Sequence, residues 1–139
     1  MYKILLTTHG KLCCGMLETL KFFSEKTEHI SVIPFYTHEE DFDEQKALDD
    51  YISQIREDDI VVIITDICWG SVNQTVYTKV NDMKNVHLIS GMNLPLMLEL
   101  ITMNEDEINE QTITRKVNDC QGSIVYMRNY KIEFNDEDE

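Results

Sequence analysis

The chain has 139 residues, 42% of them hydrophobic, and a formal net charge of −14, and its length suits one compact domain. The negative charge disfavours nucleic acid and anionic lipid as partners, because their phosphates would repel the protein. No apolar run approaches the roughly 18 residues that a membrane span needs, and the strand-like run directly after Lys3 is unlike a signal peptide, so we expect a cytoplasmic protein without direct membrane insertion.

Strand-like and helix-like segments alternate from the start of the chain. The continuous apolar run at residues 2–8 predicts a first strand. Apolar residues at helical spacing then mark one face of a helix: Leu12, Met16, Leu20 and Phe23. A second strand is predicted at residues 30–36, although Pro34 removes one hydrogen-bond donor there. The next amphipathic helix is marked by Phe42, Ala47, Leu48, Tyr51, Ile52 and Ile55.

The strongest strand pattern is the run IVVIIT at residues 60–65. Its β-branched residues favour a strand that is buried on both faces, as in a parallel sheet covered by helices, so we expect it near the centre of the sheet. The remaining elements follow in order: a helix at 71–82, a strand at 86–90, a helix at 93–103 with Pro95 in its first turn, a helix at 106–119 opened by acidic residues, and a last strand at 123–130.

This alternation predicts an α/β fold of three layers, with a doubly wound, mostly parallel sheet in the strand order 2-1-3-4. Residues 1–134 would form this single domain, and residues 135–139 an acidic tail. Ligands bind such sheets at the carboxyl ends of the strands, where the strand order reverses. That point lies between strands one and three, which end at His9 and Asp66. The fold should therefore bring these two side chains together.

A histidine beside a carboxylate suggests nucleophilic chemistry. An imidazole that donates one N–H to a carboxylate is held in one tautomer and presents the lone pair of its other nitrogen. His9 also precedes a helix N-terminus, which favours a phosphate, and Gly10 allows the backbone to approach it closely. Gly70 and Ser71 repeat this arrangement after strand three. The structural alternative is that His9 only closes a strand and Asp66 only caps a helix.

The four cysteines show no CxxC or repeated spacing, so a disulfide framework or structural zinc site is not indicated. A metal site built from His9, Cys13 and Cys68 is the weaker alternative, because their spacing matches no known ligand pattern. We interpret the cysteines as reduced packing residues. No metal and no cofactor is expected.

Three segments resemble the enzyme IIA component of the mannose-type (mannose/fructose/sorbose) phosphoenolpyruvate-dependent sugar phosphotransferase system (PTS). They are ILLTTHGKLCCGMLETL, VVIITDICWGSVNQ and VHLISGMNLPLMLEL, which follow the order of the family and span nearly the whole chain. The first resembles the family's strand, T-H-G and helix. The third resembles its G-x-N-x-P segment, here Gly91, Asn93 and Pro95.

The resemblance implies a phosphotransferase with a phosphohistidine intermediate. His9 would accept a phosphoryl group from the phosphocarrier protein HPr and pass it to a IIB component, with Asp66 orienting the ring. Ser71, beside Gly70, matches the family's serine near the phosphate, and Asn93 would line the same edge. Family members are homodimers that share their final strand, which here would be residues 123–130.

The middle segment departs from the family pattern D-x-x-G-G-S-P. Trp69 replaces the first glycine and Val72 the proline. Because tryptophan disfavours the backbone angles that glycine can adopt, we expect a reshaped phosphate-binding turn. Two alternatives remain open: a regulatory relative phosphorylated on His9 without feeding a transporter, and a flavodoxin-like small-ligand-binding module. The second lacks a glycine-rich phosphate loop or dinucleotide motif.

Overall fold

The computed structural model describes residues 1–131, and the predicted acidic tail at 135–139 lies outside them. The strands are β1 (Tyr2–His9), β2 (Ile30–Phe35), β3 (Ile60–Thr65) and β4 (Val86–Ile89). The helices of eight or more residues are α1 (Leu12–Leu20), α2 (Glu44–Ser53), α3 (Ser71–Val80), α4 (Leu94–Ile101) and α5 (Glu110–Cys120). No helix within this described part combines the length and apolar character of a membrane span.

The four strands form one parallel sheet in the order β2-β1-β3-β4, which confirms the predicted order. In the centre, Leu6 pairs with Val32 on one side and with Ile64 on the other. The run at β3 is buried as its composition predicts, since five of its six residues are inaccessible. The strand order reverses between β1 and β3, and their carboxyl ends therefore form one edge of the sheet.

Helices cover both faces of the sheet, and a separate apolar core lies under each layer. Ile4 and Leu6 of β1 point into the core formed with α1, α4 and α5. Leu5, which points the opposite way, joins the core formed with α2 and α3. The predicted three-layer, doubly wound architecture is therefore confirmed.

Helix α1 turns a different face to the core from the one that the sequence pattern suggests. Cys13 and Leu20 are fully buried, whereas Leu12 and Phe23 are 53% and 59% exposed. The helix ends at Leu20, and Phe23 lies in the turn that follows it. Two overlapping apolar stripes share Leu20, and periodicity alone does not choose between them. The burial of Cys13 agrees with its interpretation as a packing residue, whereas that interpretation is wrong for Cys68, which is exposed in the turn after β3.

The segment at residues 123–130 is not the strand that we predicted. It contains parts of two short 3-10 turns, Gln121–Ser123 and Met127–Asn129, joined by irregular chain. A strand needs a partner for its backbone N–H and C=O groups, and neither edge of the sheet pairs with this segment within the single chain. Its apolar side chains remain exposed, Ile124 to 92%.

Asp59 ties β1 to β3 at the amino edge of the sheet, opposite to His9. Its buried carboxylate accepts the Arg56 backbone N–H at 2.9 Å and lies 3.2 Å from Lys3 Nζ. The Arg56 hydrogen bond, with help from Lys3, holds the pKa of Asp59 at about 2. The ionised carboxylate therefore links Lys3 of β1 to the turn before β3.

Candidate active site

His9 and Asp66 meet at the carboxyl edge of the two central strands, as predicted. Asp66 Oδ2 accepts the His9 backbone N–H at 2.9 Å and lies 3.0 Å from His9 Nδ1. Asp66 Oδ1 accepts the Ile67 backbone N–H at 3.0 Å. Because an ionised carboxylate can only accept hydrogen bonds, it fixes the neutral histidine as the tautomer with the proton on Nδ1. The lone pair of Nε2 then faces outward.

The environment of Asp66 keeps its carboxyl ionised. Burial is the largest single effect and would raise its pKa, but the hydrogen bonds from the backbone and ring of His9 outweigh it. The pKa of Asp66 therefore lies below its ordinary value. The side chain of His9 is 40% exposed and that of Asp66 only 9%, so the imidazole is accessible to solvent while its carboxylate partner is sheltered.

Two hydroxyl groups follow one another on the outer side of the ring. Ser71 Oγ lies 3.2 Å from His9 Nε2, and the Tyr36 hydroxyl donates to Ser71 Oγ at 3.1 Å. The rings of Tyr36 and His9 have centroids 5.4 Å apart. Ser71 was predicted at this site, and Tyr36 was missed. The sequence does place Tyr36 at the carboxyl end of the second predicted strand, and this position could have identified it as a site residue.

Gly10 and Gly70 lie in the turns that follow β1 and β3, and the backbone N–H of each already donates to a carbonyl of the protein. Gly10 has φ +56°, which favours glycine, and donates to Phe35 O at 2.7 Å. Gly70 donates to Ile67 O at 3.0 Å. Within residues 1–131, the N–H groups of Ser71 and Val72 at the start of α3 have no acceptor. Ser71 is exposed whereas Val72 is fully buried, so the Ser71 N–H, and not the glycine N–H groups, is the backbone donor available to an anion.

Trp69 corrects the expectation that tryptophan would avoid the backbone angles of the glycine it replaces. Its φ is +61°, in the left-handed region. Side chains of α3 hold it there: Asn73 accepts its N–H at 3.2 Å, Gln74 donates to its carbonyl at 2.7 Å, and the Tyr77 ring lies 5.2 Å from the indole ring. Such a conformation costs about 1–3 kcal/mol, which these contacts offset. Val72, at the position of the family's proline, is fully buried in the core.

Asn93 is placed at the predicted edge, but its side chain is occupied locally. It accepts the Leu96 N–H at 3.0 Å and donates to Gly91 O at 2.9 Å, so it caps α4. In the part of the chain that the structure describes, it makes no hydrogen bond to His9. Its role in phosphate binding stays a prediction.

The surroundings of His9 carry neutral donors and little positive charge. Lys11, two residues away, pairs with Glu39 at 3.0 Å. Among the described residues, Asp66 is the only charged side chain that forms an ion pair or hydrogen bond with the imidazole. Cys13 is buried and Cys68 exposed, and residues 1–131 contain no group of three or more side chains able to hold a metal ion.

Residues 3–118 match the family EIIA-man, the PTS system fructose IIA component. Among solved structures, a protein provisionally described as a phosphoenolpyruvate-dependent sugar PTS permease of Klebsiella pneumoniae is 26% identical, with TM-score 0.82 and 92% of each chain covered. The PTS IIA protein associated with the fucose utilization operon of Streptococcus pneumoniae is 22% identical, with TM-score 0.77, covering 91% of this chain and 93% of that one.

The mannose/sorbose specific IIA subunit of the phosphotransferase system of Enterococcus faecalis is 12% identical, with TM-score 0.67 and 96% of each chain covered. At these identities the Streptococcus and Enterococcus proteins show a shared fold. No curated protein matches the chain. The family match spans most of the chain, including both strand ends that carry His9 and Asp66, and the chain therefore belongs to the mannose-type IIA family of the sugar phosphotransferase system.

Proposed function

We propose that this chain is a phosphocarrier that accepts a phosphoryl group on His9 Nε2 from phospho-HPr and passes it to a IIB component for sugar uptake. The observation that carries the proposal is the line of contacts through the ring. Asp66 holds Nδ1 at 3.0 Å on one side, and Nε2 faces Ser71 at 3.2 Å on the other. A histidine held in this way presents a lone pair beside the N-terminus of α3, where a phosphoryl group is favoured.

The transfer needs no proton to move between protein groups. The Nε2 lone pair attacks phosphorus, the bond from phosphorus to the donor breaks, and its electron pair leaves with the donor. The ring gains positive character while the proton stays on Nδ1, and the Asp66 carboxylate, 3.0 Å away, offsets that charge. Ser71 loses its acceptor on Nε2 and can turn its hydrogen to a phosphoryl oxygen. Handover to IIB is the same step in reverse.

Incubation with phosphoenolpyruvate, enzyme I and HPr should add one phosphoryl group to the chain, and addition of the cognate IIB should remove it. Intact mass spectrometry at alkaline pH measures both steps, because phosphohistidine is lost in acid. Omitting HPr is the control and should leave the chain unlabelled. An unlabelled chain in the presence of HPr that is itself phosphorylated would contradict the proposal.

We also propose that the chain forms a homodimer through residues 123–130. Large apolar side chains of this segment are exposed: Ile124, Val125, Tyr126, Met127 and Tyr130. The outer side of β4 pairs with no other strand of residues 1–131. An exposed apolar segment and an open edge both favour association, and pairing between two chains removes both. The family resemblance points to the same arrangement.

Sedimentation velocity should give a dimer at micromolar concentration. Replacing Ile124 and Tyr126 with Asp should shift the chain to a monomer, because both side chains are exposed in the single chain and the charge would oppose pairing with β4. As a matched control, Leu12→Asp changes an exposed apolar residue of α1 and should leave the dimer intact. A monomeric unmodified chain would exclude the proposal.

A further inference from the structure

Tyr36 occupies an unusual place beside the reactive histidine. It directly follows β2, whose last residue, Phe35, pairs with His9. Its φ is +61°, a conformation that bulky residues rarely adopt. The Tyr36 backbone N–H is bonded to Glu44 Oε1 at 3.3 Å. From this strained position the ring turns back towards His9, with centroids 5.4 Å apart, instead of continuing the strand.

The hydroxyl of Tyr36 is aimed at the space in front of Nε2. It donates to Ser71 Oγ at 3.1 Å, and Ser71 Oγ is itself 3.2 Å from Nε2. With the neutral ring protonated on Nδ1, Nε2 is an acceptor and the Ser71 hydrogen points at it. The Tyr36, Ser71 and His9 bonds therefore all run in one direction, from the tyrosine to the Asp66 carboxylate, and each polarises the next.

A phosphoryl group on Nε2 would replace the hydrogen bond between Ser71 and Nε2. A covalent bond from nitrogen to phosphorus is much shorter than a hydrogen bond, so the phosphoryl oxygens must occupy the space that Ser71 Oγ now fills. The serine hydroxyl has to turn aside. The Tyr36 hydroxyl then donates its hydrogen bond to a phosphoryl oxygen instead of to Ser71 Oγ. In the resting protein the serine oxygen stands in for the phosphoryl oxygen as its acceptor.

We propose that Tyr36 is a phosphoryl-binding residue whose hydroxyl donates directly to the phosphoryl group on His9. The inference rests on the phosphocarrier function proposed above and adds a donor that neither the family resemblance nor the sequence pattern assigns. Such a donor matters at this site because, among the described residues, no lysine or arginine side chain contacts the His9 ring. A hydroxyl donor provides a directed hydrogen bond to the phosphoryl charge.

The test is the equilibrium distribution of the phosphoryl group between HPr and this chain, measured by mass spectrometry for the unmodified chain and for Tyr36→Phe. The substitution keeps the ring and removes only the hydroxyl. We expect the equilibrium to shift towards phospho-HPr by roughly tenfold, the size of one lost hydrogen bond to a charged acceptor. The ³¹P chemical shift of the phosphohistidine should change as well, which a purely structural role would not cause. Tyr51→Phe is the matched control and should change neither, because Tyr51 lies on α2 and its hydroxyl makes no hydrogen bond within the described residues.

A double-mutant cycle separates direct contact from an effect through the serine. If the Tyr36 hydroxyl touches the phosphoryl group, Tyr36→Phe will still shift the equilibrium by several-fold in a Ser71→Ala background. If the shift vanishes in that background, Tyr36 acts only by orienting Ser71 and the inference is overturned. An unchanged equilibrium in the single variant overturns it too. Failure of the unmodified chain to accept phosphate from HPr would refute the proposed function instead, so the two failures are distinguishable.

Discussion

His9→Ala is expected to abolish phosphoryl uptake from phospho-HPr while the fold survives. Within residues 1–131, the substitution removes the only imidazole nitrogen that combines a fixed lone pair with a carboxylate partner. Asp66 keeps two hydrogen bonds without the ring, from the backbone N–H groups of residue 9 and Ile67, so the two strand ends stay joined. The labelling should fall below detection in the mass spectrum, and the thermal transition should stay cooperative.

His38→Ala is the matched control, because His38 is the other histidine on the same side of the sheet and is exposed in the loop after β2. It should be labelled like the unmodified chain. His29 lies beside Tyr2 at the opposite edge, and His87 is on the edge strand β4. Undiminished labelling of His9→Ala, or phosphate mapped to any of these three histidines, would remove His9 from the proposed site.

Asp66→Asn should slow phosphoryl transfer by about 10²-fold. The analogous change in serine proteases costs about 10⁴-fold, because there the histidine must also take up and return a proton. Here the substitution removes the charge that offsets the positive charge developing on the ring, and it weakens the preference for the tautomer protonated on Nδ1. We therefore expect a loss of rate at the lower end of the range for acid–base effects. Stopped-flow or quenched-flow transfer from phospho-HPr measures the rate.

The same substitution should also destabilise the fold by about 1–3 kcal/mol. Both carboxylate oxygens of Asp66 accept backbone N–H groups, from His9 and from Ile67, so an amide NH₂ faces a donor whichever way it turns. Asparagine is therefore not an equivalent cap here. Because folding lowers the pKa of Asp66, its contribution to stability is present above the ordinary value of about 4 and is lost as the pH falls through the lowered value.

Asn109→Ala provides the matched control for this loss of stability. Asn109 caps α5 by accepting the Thr112 N–H at 2.9 Å, and its removal costs about 1 kcal/mol away from the site. This variant should transfer phosphate at the unmodified rate. An unmodified rate in Asp66→Asn would instead reduce Asp66 to a structural role and leave His9 without its proposed partner.

The sheet and the His9–Asp66 pair could be predicted because both follow from local patterns. The apolar run of β3 requires burial on both faces, and its neighbours then determine which strand ends share an edge. The face of α1 could not be chosen in this way, because Leu12 and Cys13 begin two stripes that both fit a helix. The segment at residues 123–130 is not a strand in the single chain, because a strand depends on a partner edge, which local composition does not provide.

The finer geometry of the site depends on backbone angles that residue type does not reveal. Tyr36 and Trp69 both adopt φ +61°, which their bulk disfavours and which tertiary contacts impose. From sequence, Trp69 therefore looked incompatible with a glycine position, and Tyr36 looked like an ordinary strand end. Asn93 shows the reverse case, since its cap on α4 follows directly from its place before a helix with Pro95 in the first turn.

The shortage of positive charge around His9 has a thermodynamic consequence. A lysine or arginine at Nε2 would form a strong ion pair with a bound phosphoryl group and would retain it. Among the described residues the ring of His9 contacts no lysine or arginine, so hydroxyl and backbone N–H groups would orient the phosphoryl group with a weaker hold. In the proposed relay the group thus keeps a high transfer potential on this chain. We therefore expect each handover to run close to equilibrium, with the direction of flux set by the phosphorylation levels of the donor and acceptor proteins.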